Sequence, residues 1–455
     1  MYNVADMLIL VGVLLTLVFS GVHIAVSLGL ASLLGLYMVT GDLQAMTSFA
    51  SNTAYEALRD YVFAVIPLFL LMGEFLSKCG AASDLFALVN RTTRRIPGRL
   101  GVATVLANAV FAFITGVSIA AAAAFSKIAY PEMRRHGYER KFALGCIAGS
   151  ACLGMLIPPS VLMIVWGVLT ELAIGKLFIA GIIPGFLVVG LYTMYILWVA
   201  KTQPHRVGEG PNLPEPQRLA RAGIDAMPVQ DLRTILWSTV GILALVVIVL
   251  GGIWFGFFTP TEGAGVGATL ALLLAMARGM KPREMMEAIV SVGRTSAPLL
   301  LLLVAAQLYS RVLSMTGVTG MAKEFFVNSG LSPYAVLVLM VLIWFALGAI
   351  IDSISIILLT VPVFAPVAMA LGFDPIAFAI IGILAIETGL LTPPFGILVF
   401  TVKAAVPDEP DLKNGEIFRG SVPYWMALLV AILGIVIFPQ LATWLPNLGN
   451  VVPVK

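Results

Sequence analysis

The chain has 455 residues, 60% of them hydrophobic and only 11% charged, with a mean hydropathy of +1.01 and a formal net charge of +3. No water-exposed fold of this length tolerates that composition, so the chain belongs in lipid, where a bundle of helices satisfies the backbone. The small charge, carried by basic residues in membrane-flanking loops rather than on one face, argues against nucleic acid as a partner.

The N-terminal residues Met1 to Asp6 lack a basic region, and no small-residue cleavage site follows the first apolar run, so that run is expected to stay. Spans are predicted near 5–20 and 22–39, split at Ser20-Gly21, and then near 62–79. The stretch 81–95 mixes apolar and polar residues over several turns and reads as an interfacial arm helix. Next come two short apolar arms, 100–115 and 119–130, interrupted by Gly116, Val117 and Ser118. At ~1.5 Å per residue such arms cross only part of the ~30 Å hydrocarbon core, so 100–130 is predicted to be a re-entrant hairpin. Arg91, Arg94, Arg95 and Arg99 precede it and Arg134, Arg135, Arg140 and Lys141 follow, which puts both of its ends on the cytoplasmic side.

Further spans are predicted at 140–173 and 176–200, followed by the long polar loop 201–233 on the cytoplasmic side. Beyond it lie spans at 233–257, 262–279 and 296–315, a second arm at 319–328, and a second hairpin at 335–371. That hairpin has no basic excess at its ends, as expected of an element entered from outside. Spans at 376–406 and 422–440 complete the chain. Two units, 1–200 and 234–455, thus each hold five spans and one hairpin, and the odd number of spans turns the second unit upside down. Landmarks recur in step: Ser118 precedes Pro158 by 40 residues, and Ser353 precedes Pro393 by 40. The fold expected is an all-α polytopic membrane protein of inverted repeats with broken helices, an arrangement typical of secondary transporters.

The chemistry is expected at four places. Leu156-Ile157-Pro158-Pro159-Ser160 and Leu391-Thr392-Pro393-Pro394-Phe395-Gly396 each break a long apolar span, because consecutive prolines remove two helix donors and clash with the preceding turn. Unwound backbone at membrane depth is tolerated where it lines a site. Its freed carbonyls, with the hydroxyls of Ser160 or Thr392, are hard oxygen ligands suited to Na+, while half-helix N-termini favour an anion. The hairpin tips, Ile114-Thr115-Gly116-Val117-Ser118 and Gly348-Ala349-Ile350-Ile351-Asp352-Ser353, supply the complementary half-sites.

Asp352 and Glu387 are carboxylates in strongly apolar sequence, which makes each a candidate functional group; Glu74 and Glu171, nearer span ends, read as solvated. Lys127 is expected to snorkel to the cytoplasmic face. Cys79, Cys146 and Cys152 have no metal-ligand spacing and read as small buried hydrophobes. His23, His136 and His205 are scattered, which counts against a metal-dependent intramembrane hydrolase.

At these motifs the chain resembles the large membrane subunit of tripartite ATP-independent periplasmic (TRAP) transporters. The residues that carry the resemblance are Gly116 to Ser118 with the Ala-rich arm that follows, Tyr130-Pro131-Glu132-Met133, Gly137-Tyr138, and Gly154 to Ser160. Further carriers are Lys176-Leu177-Phe178-Ile179-Ala180-Gly181-Ile182-Ile183-Pro184-Gly185, Phe258-Thr259-Pro260-Thr261-Glu262, and the run from Glu387 to Gly396. The chain departs from the family at Gly21-Val22-His23, where members often carry Gly-x-Pro, and at the first tip, where a Gly-Ser pair is common.

The resemblance implies a Na+-coupled elevator subunit in the bacterial inner membrane, without enzymatic activity or a cofactor beyond the coupling ion. It implies a small membrane subunit as a separate chain and a periplasmic substrate-binding protein as partners, and a carboxylate such as a C4-dicarboxylate or sialic acid as cargo. One cation site is expected among Thr115, Gly116, Ser118, Gly154, Leu156, Ile157 and Pro158, and another among Gly348, Asp352, Ser353, Thr388, Gly389, Leu391 and Thr392. Substrate is expected between the tips, near Ser118, Pro159, Ser160, Ser353, Glu387 and Pro394. The competing reading is a stand-alone divalent-anion/sodium symporter, which needs no partner proteins.

Overall fold

The structure is a computed structural model that describes residues 4–209 and 232–448. Among the described residues it is a bundle of helices whose only β-pairing is an isolated antiparallel bridge between Tyr138 and Val207. The first half contains α1 (Val4–Phe19), α2 (Ile24–Thr40), α3 (Leu43–Arg59), α4 (Val65–Lys78) and the arm α5 (Ala81–Thr92). The hairpin α6 (Arg99–Thr115) and α7 (Ser118–Arg135) follows, then the broken helix α8 (Arg140–Ala151), α9 (Leu153–Leu156) and α10 (Val161–Thr170), and the long α11 (Ile174–Thr202).

The order recurs in the second half. Here α12 (Leu232–Trp254), α13 (Pro260–Ala277) and α14 (Pro282–Met315) lead to the arm α15 (Val318–Val327) and the hairpin α16 (Pro333–Gly348) and α17 (Ser353–Ala370). The broken helix α18 (Pro375–Gly389) and α19 (Ile397–Ala404), the long α20 (Asn414–Ile437) and a terminal α21 (Gln440–Leu448) complete it. Seven of these helical stretches, including Arg140–Thr170 taken across its break and the second hairpin arm Ser353–Ala370, are long and apolar enough to cross a membrane, while the first arms Arg99–Thr115 and Pro333–Gly348 are among the shorter apolar helices. The chain is therefore a multi-pass integral membrane protein.

Contacts between the halves also come in matched pairs. Helix α4 packs on α13, and α14 on α2; α10 packs on the second hairpin arm α17, and α19 on the first-half counterpart α7. Aromatic rings fill one of these seams: Trp166 of α10 lies 5.8 Å from Trp344 of α16 and 5.9 Å from Phe378 of α18, centroid to centroid. Gly382 of α18 leaves room for them, since a Cβ there would meet the Trp166 ring at 2.5 Å.

Local signals explain the helix starts. Asp42 caps α3 through Gln44 and Ala45, and Thr259 with Glu262 forms a capping box ahead of Pro260 at the start of α13. Two boundaries and one element differ from the reading by apolar runs. Helix α14 begins at Pro282 rather than at 296, because Pro282 and Glu284 start it in polar sequence. Helix α20 begins at Asn414 rather than 422, and α3 forms a full amphipathic helix in the stretch between the predicted spans 22–39 and 62–79. Most of the predicted 201–233 loop lies outside the described residues.

Candidate functional site

Both proline pairs break their helices as expected, and both Pro158-Pro159 and Pro393-Pro394 are cis. Each hairpin tip is tied to the chain just beyond the break facing it. In the first half the Val161 N–H donates to the Gly116 carbonyl at 3.2 Å; in the second, the N–H groups of Phe395 and Gly396 donate to the Ala349 carbonyl at 3.1 and 3.3 Å. Glycines allow this approach. Gly116 has a φ of +60°, and a Cβ on it would meet the Pro159 carbonyl oxygen at 2.5 Å. Gly348 and Gly389 face one another so closely that a Cβ on Gly389 would meet the Gly348 Cα at 2.6 Å. Gly154, four residues before Pro158 as Gly389 is before Pro393, packs on the Ser118 backbone.

The two tips meet at one carboxylate. Glu387, only 1% exposed, accepts hydrogen bonds from Ser118 Oγ at 2.6 Å and from Ser353 Oγ at 3.1 Å. Cys152, six residues before Pro158 as Glu387 is before Pro393, directs its thiol to the Glu387 backbone carbonyl at 3.6 Å. Sequence reading singled out Glu387 and both serines; it had no means of joining Ser118 to Glu387, because 269 residues separate them.

The other candidates bond within their own segments. Thr115 Oγ1 donates to the Phe111 carbonyl at 3.3 Å, Thr388 Oγ1 to Leu384 at 2.6 Å, and Thr392 Oγ1 to Gly389 at 2.8 Å. Ser160 is fully buried; its hydroxyl donates to the Met155 carbonyl at 2.5 Å and caps α10 through the Met163 N–H. Asp352 is the N-cap of α17, bonded to the Ser355 N–H at 3.0 Å and to the Ser355 hydroxyl. Leu156, Ile157, Pro158 and Pro159 are buried, whereas Pro393, Pro394 and Phe395 are exposed although Leu391 and Thr392 beside them are buried. Glu171 and Lys127 are exposed, Glu74 is half-buried, and Cys146 and Cys152 are buried free thiols.

Two polar features lie away from the tips. A cavity of about 460 Å³ is lined by Glu56, Arg59, Asp60, Glu171, Gln307 and Arg311, and Arg311 pairs there with Glu56 at 2.8 Å. Arg140 joins the halves by bonding Glu416 at 2.7 and 3.0 Å and Glu409 at 3.2 Å, while Tyr130 donates to Glu409 at 2.6 Å. The Tyr130 hydroxyl and the neighbouring arginines hold the Glu409 carboxyl below the usual range.

Comparison with known proteins matches residues 11–441 to the family described as tripartite ATP-independent periplasmic transporter, DctM component. The chain is similar to the C4-dicarboxylate TRAP transporter large permease protein DctM of Pseudomonas aeruginosa, at 35% identity over 423 residues, covering 92% of this chain and 94% of that protein. It is also similar to the ectoine/5-hydroxyectoine TRAP transporter large permease protein UehC of Ruegeria pomeroyi, at 30% identity over 438 residues, covering 96% of this chain and 97% of the other. Among solved structures it shares the fold of the Alcanivorax borkumensis YdaH transporter, with a TM-score of 0.61 at 15% identity over 90% of this chain and 91% of that one.

Proposed function

The chain belongs to the tripartite ATP-independent periplasmic transporter family as its DctM component, a transport protein and not an enzyme, and from that premise we infer a Na+-coupled importer of small organic acids. The observation that carries this reading is the meeting of both hairpin tips at Glu387, directly beside the two proline breaks. Each break brings freed backbone carbonyls and hydroxyl lone pairs to one tip, which is a ligand set for a hard monovalent cation. One Na+ takes the oxygens around Thr115, Gly116, Ser118 and the 154–158 segment. A second takes those around Gly348, Ser353, Thr388 and Thr392, with Asp352 held close by its cap.

A carboxylate substrate sits between the tips. Val117, the N-cap of α7, offers no side-chain cap, so the first turn of α7 presents its amide donors and dipole toward an anion. The name of the relative at 35% identity supports a C4-dicarboxylate over other acids as the first cargo to test. The matched order of elements supports two halves of inverted topology, with hairpins entering from opposite sides and moving with the broken helices as one elevator body. The family supports the remaining parts: the inner membrane, a small membrane subunit, and a periplasmic protein that delivers substrate.

Proteoliposome uptake of radiolabelled succinate tests this, with and without Na+, the small subunit and the binding protein. Uptake that needs all three supports the reading. Na+-driven uptake without a binding protein favours the stand-alone symporter instead, and uptake equal in choline removes sodium from the account.

A further inference from the structure

Glu387 was expected to touch substrate, yet its surroundings suit a different task. An ionised carboxylate offers acceptors only, so each serine that bonds it must direct its single hydroxyl proton at it. Ser118 and Ser353 do so from opposite hairpins, at 2.6 and 3.1 Å. The hydroxyls of Thr115, Thr388 and Thr392 likewise direct their protons to backbone carbonyls of their own helices. Every one of these oxygens is left with lone pairs alone to offer a ligand. Lone pairs attract a cation and repel a substrate carboxylate.

The charge balance points the same way. Glu387 is buried, and among the described residues no lysine, arginine or histidine pairs with it. A buried carboxylate without a counter-charge is costly, and a cation seated against the serine oxygens compensates it without displacing either hydrogen bond.

We propose that Glu387 is a positioning residue: it turns the tip hydroxyls of Ser118 and Ser353 into acceptors, dedicating both to cations and joining the two cation half-sites through one carboxylate. The inference rests on the sodium reading above. It reassigns the two serines and Glu387 away from substrate contact, leaving the anion to backbone donors.

Glutamine at this position is nearly isosteric but offers one acceptor oxygen and one donor NH2 group. In E387Q only one serine keeps its orientation; the other receives a proton from the amide and turns its own toward the cation. The test is equilibrium binding of radiolabelled sodium, without substrate, to the full chain purified with its small subunit. E387Q should bind sodium roughly tenfold more weakly, the usual range for loss of a group that orients a metal ligand. Its melting temperature in choline chloride should be no lower than that of the wild type, whose buried carboxylate is then uncompensated. The E387Q/S118A/S353A combination should fall little below the weakest of its component variants, because Glu387 acts through those oxygens. Sodium binding by E387Q as tight as wild type overturns the proposal. If E387Q does not fold, S118A and S353A carry the test, and unchanged sodium binding in both overturns it equally. Wild type that binds no sodium overturns the sodium reading itself, and this inference with it.

Discussion

The two half-sites share a backbone plan but not a charge. In both, a hairpin tip lies against a helix broken by two prolines, with an N–H beyond the break bonded to a tip carbonyl. In the second half Asp352 caps the hairpin's second arm, where the first half has Val117 with no side-chain cap. Glu387 stands six residues before the prolines, where the first half has Cys152. The second break is also open, with Pro393, Pro394 and Phe395 exposed, while Pro158, Pro159 and Ser160 are sealed. The backbone thus builds two equivalent cradles, while the side chains give the negative charge to one of them and leave amide donors to the other.

Exchanging small residues at matched positions should sharpen this contrast most. G389A puts a methyl 2.6 Å from both the Gly348 Cα and the Phe345 carbonyl, and backbone atoms cannot yield, so a loss of about 3 kcal/mol is expected. The matched G154A meets nothing closer than 3.0 Å and should cost about 1 kcal/mol. Folded yield and unfolding in detergent check the pair, and equal losses would break the asymmetry. D352A removes a helix cap and should cost about 1 kcal/mol in the same assay, while D352N, still able to cap, should cost less and V117A loses no cap at all.

The smallest effect concerns the ionic tie between the halves. Glu409 is held below the usual carboxyl range, chiefly by the Tyr130 hydroxyl. Its contribution is therefore complete above the unfolded value, about 4.3, and is lost as pH falls through the lower folded one. Because the group is partly exposed, it is worth about 1 kcal/mol at most. The melting-temperature gap between wild type and E409Q should be positive at pH 7 and close as pH drops below that unfolded value; a gap that widens in acid would contradict the assignment.

Much of this was legible in the sequence because it is local. Paired prolines, glycine-interrupted arms and mixed-polarity arm helices announce themselves within a few residues, and the hairpins and breaks lie where they were read. The start of α14 was missed because reading by apolar runs stops at Arg294, although Pro282 and Glu284 carry an ordinary start signal. The Asp352 cap was also within reach, as Asp followed by Ser355 ahead of an apolar run. The bonds that join the halves were not: Ser118 to Glu387 and Arg140 to Glu409 each bridge 269 residues, and nothing local pairs one partner with the other. Sequence could nominate Glu387 as a buried charge but could not say which groups it would orient.

Both half-sites are proposed to serve one cation-coupled transport step. Its most direct test is the sodium dependence of substrate uptake in proteoliposomes containing the small subunit and the binding protein, for wild type, S118A and S353A. Uptake should vanish in choline and need markedly more sodium in each serine variant. Uptake unchanged by either substitution, or equally fast in choline, would contradict it.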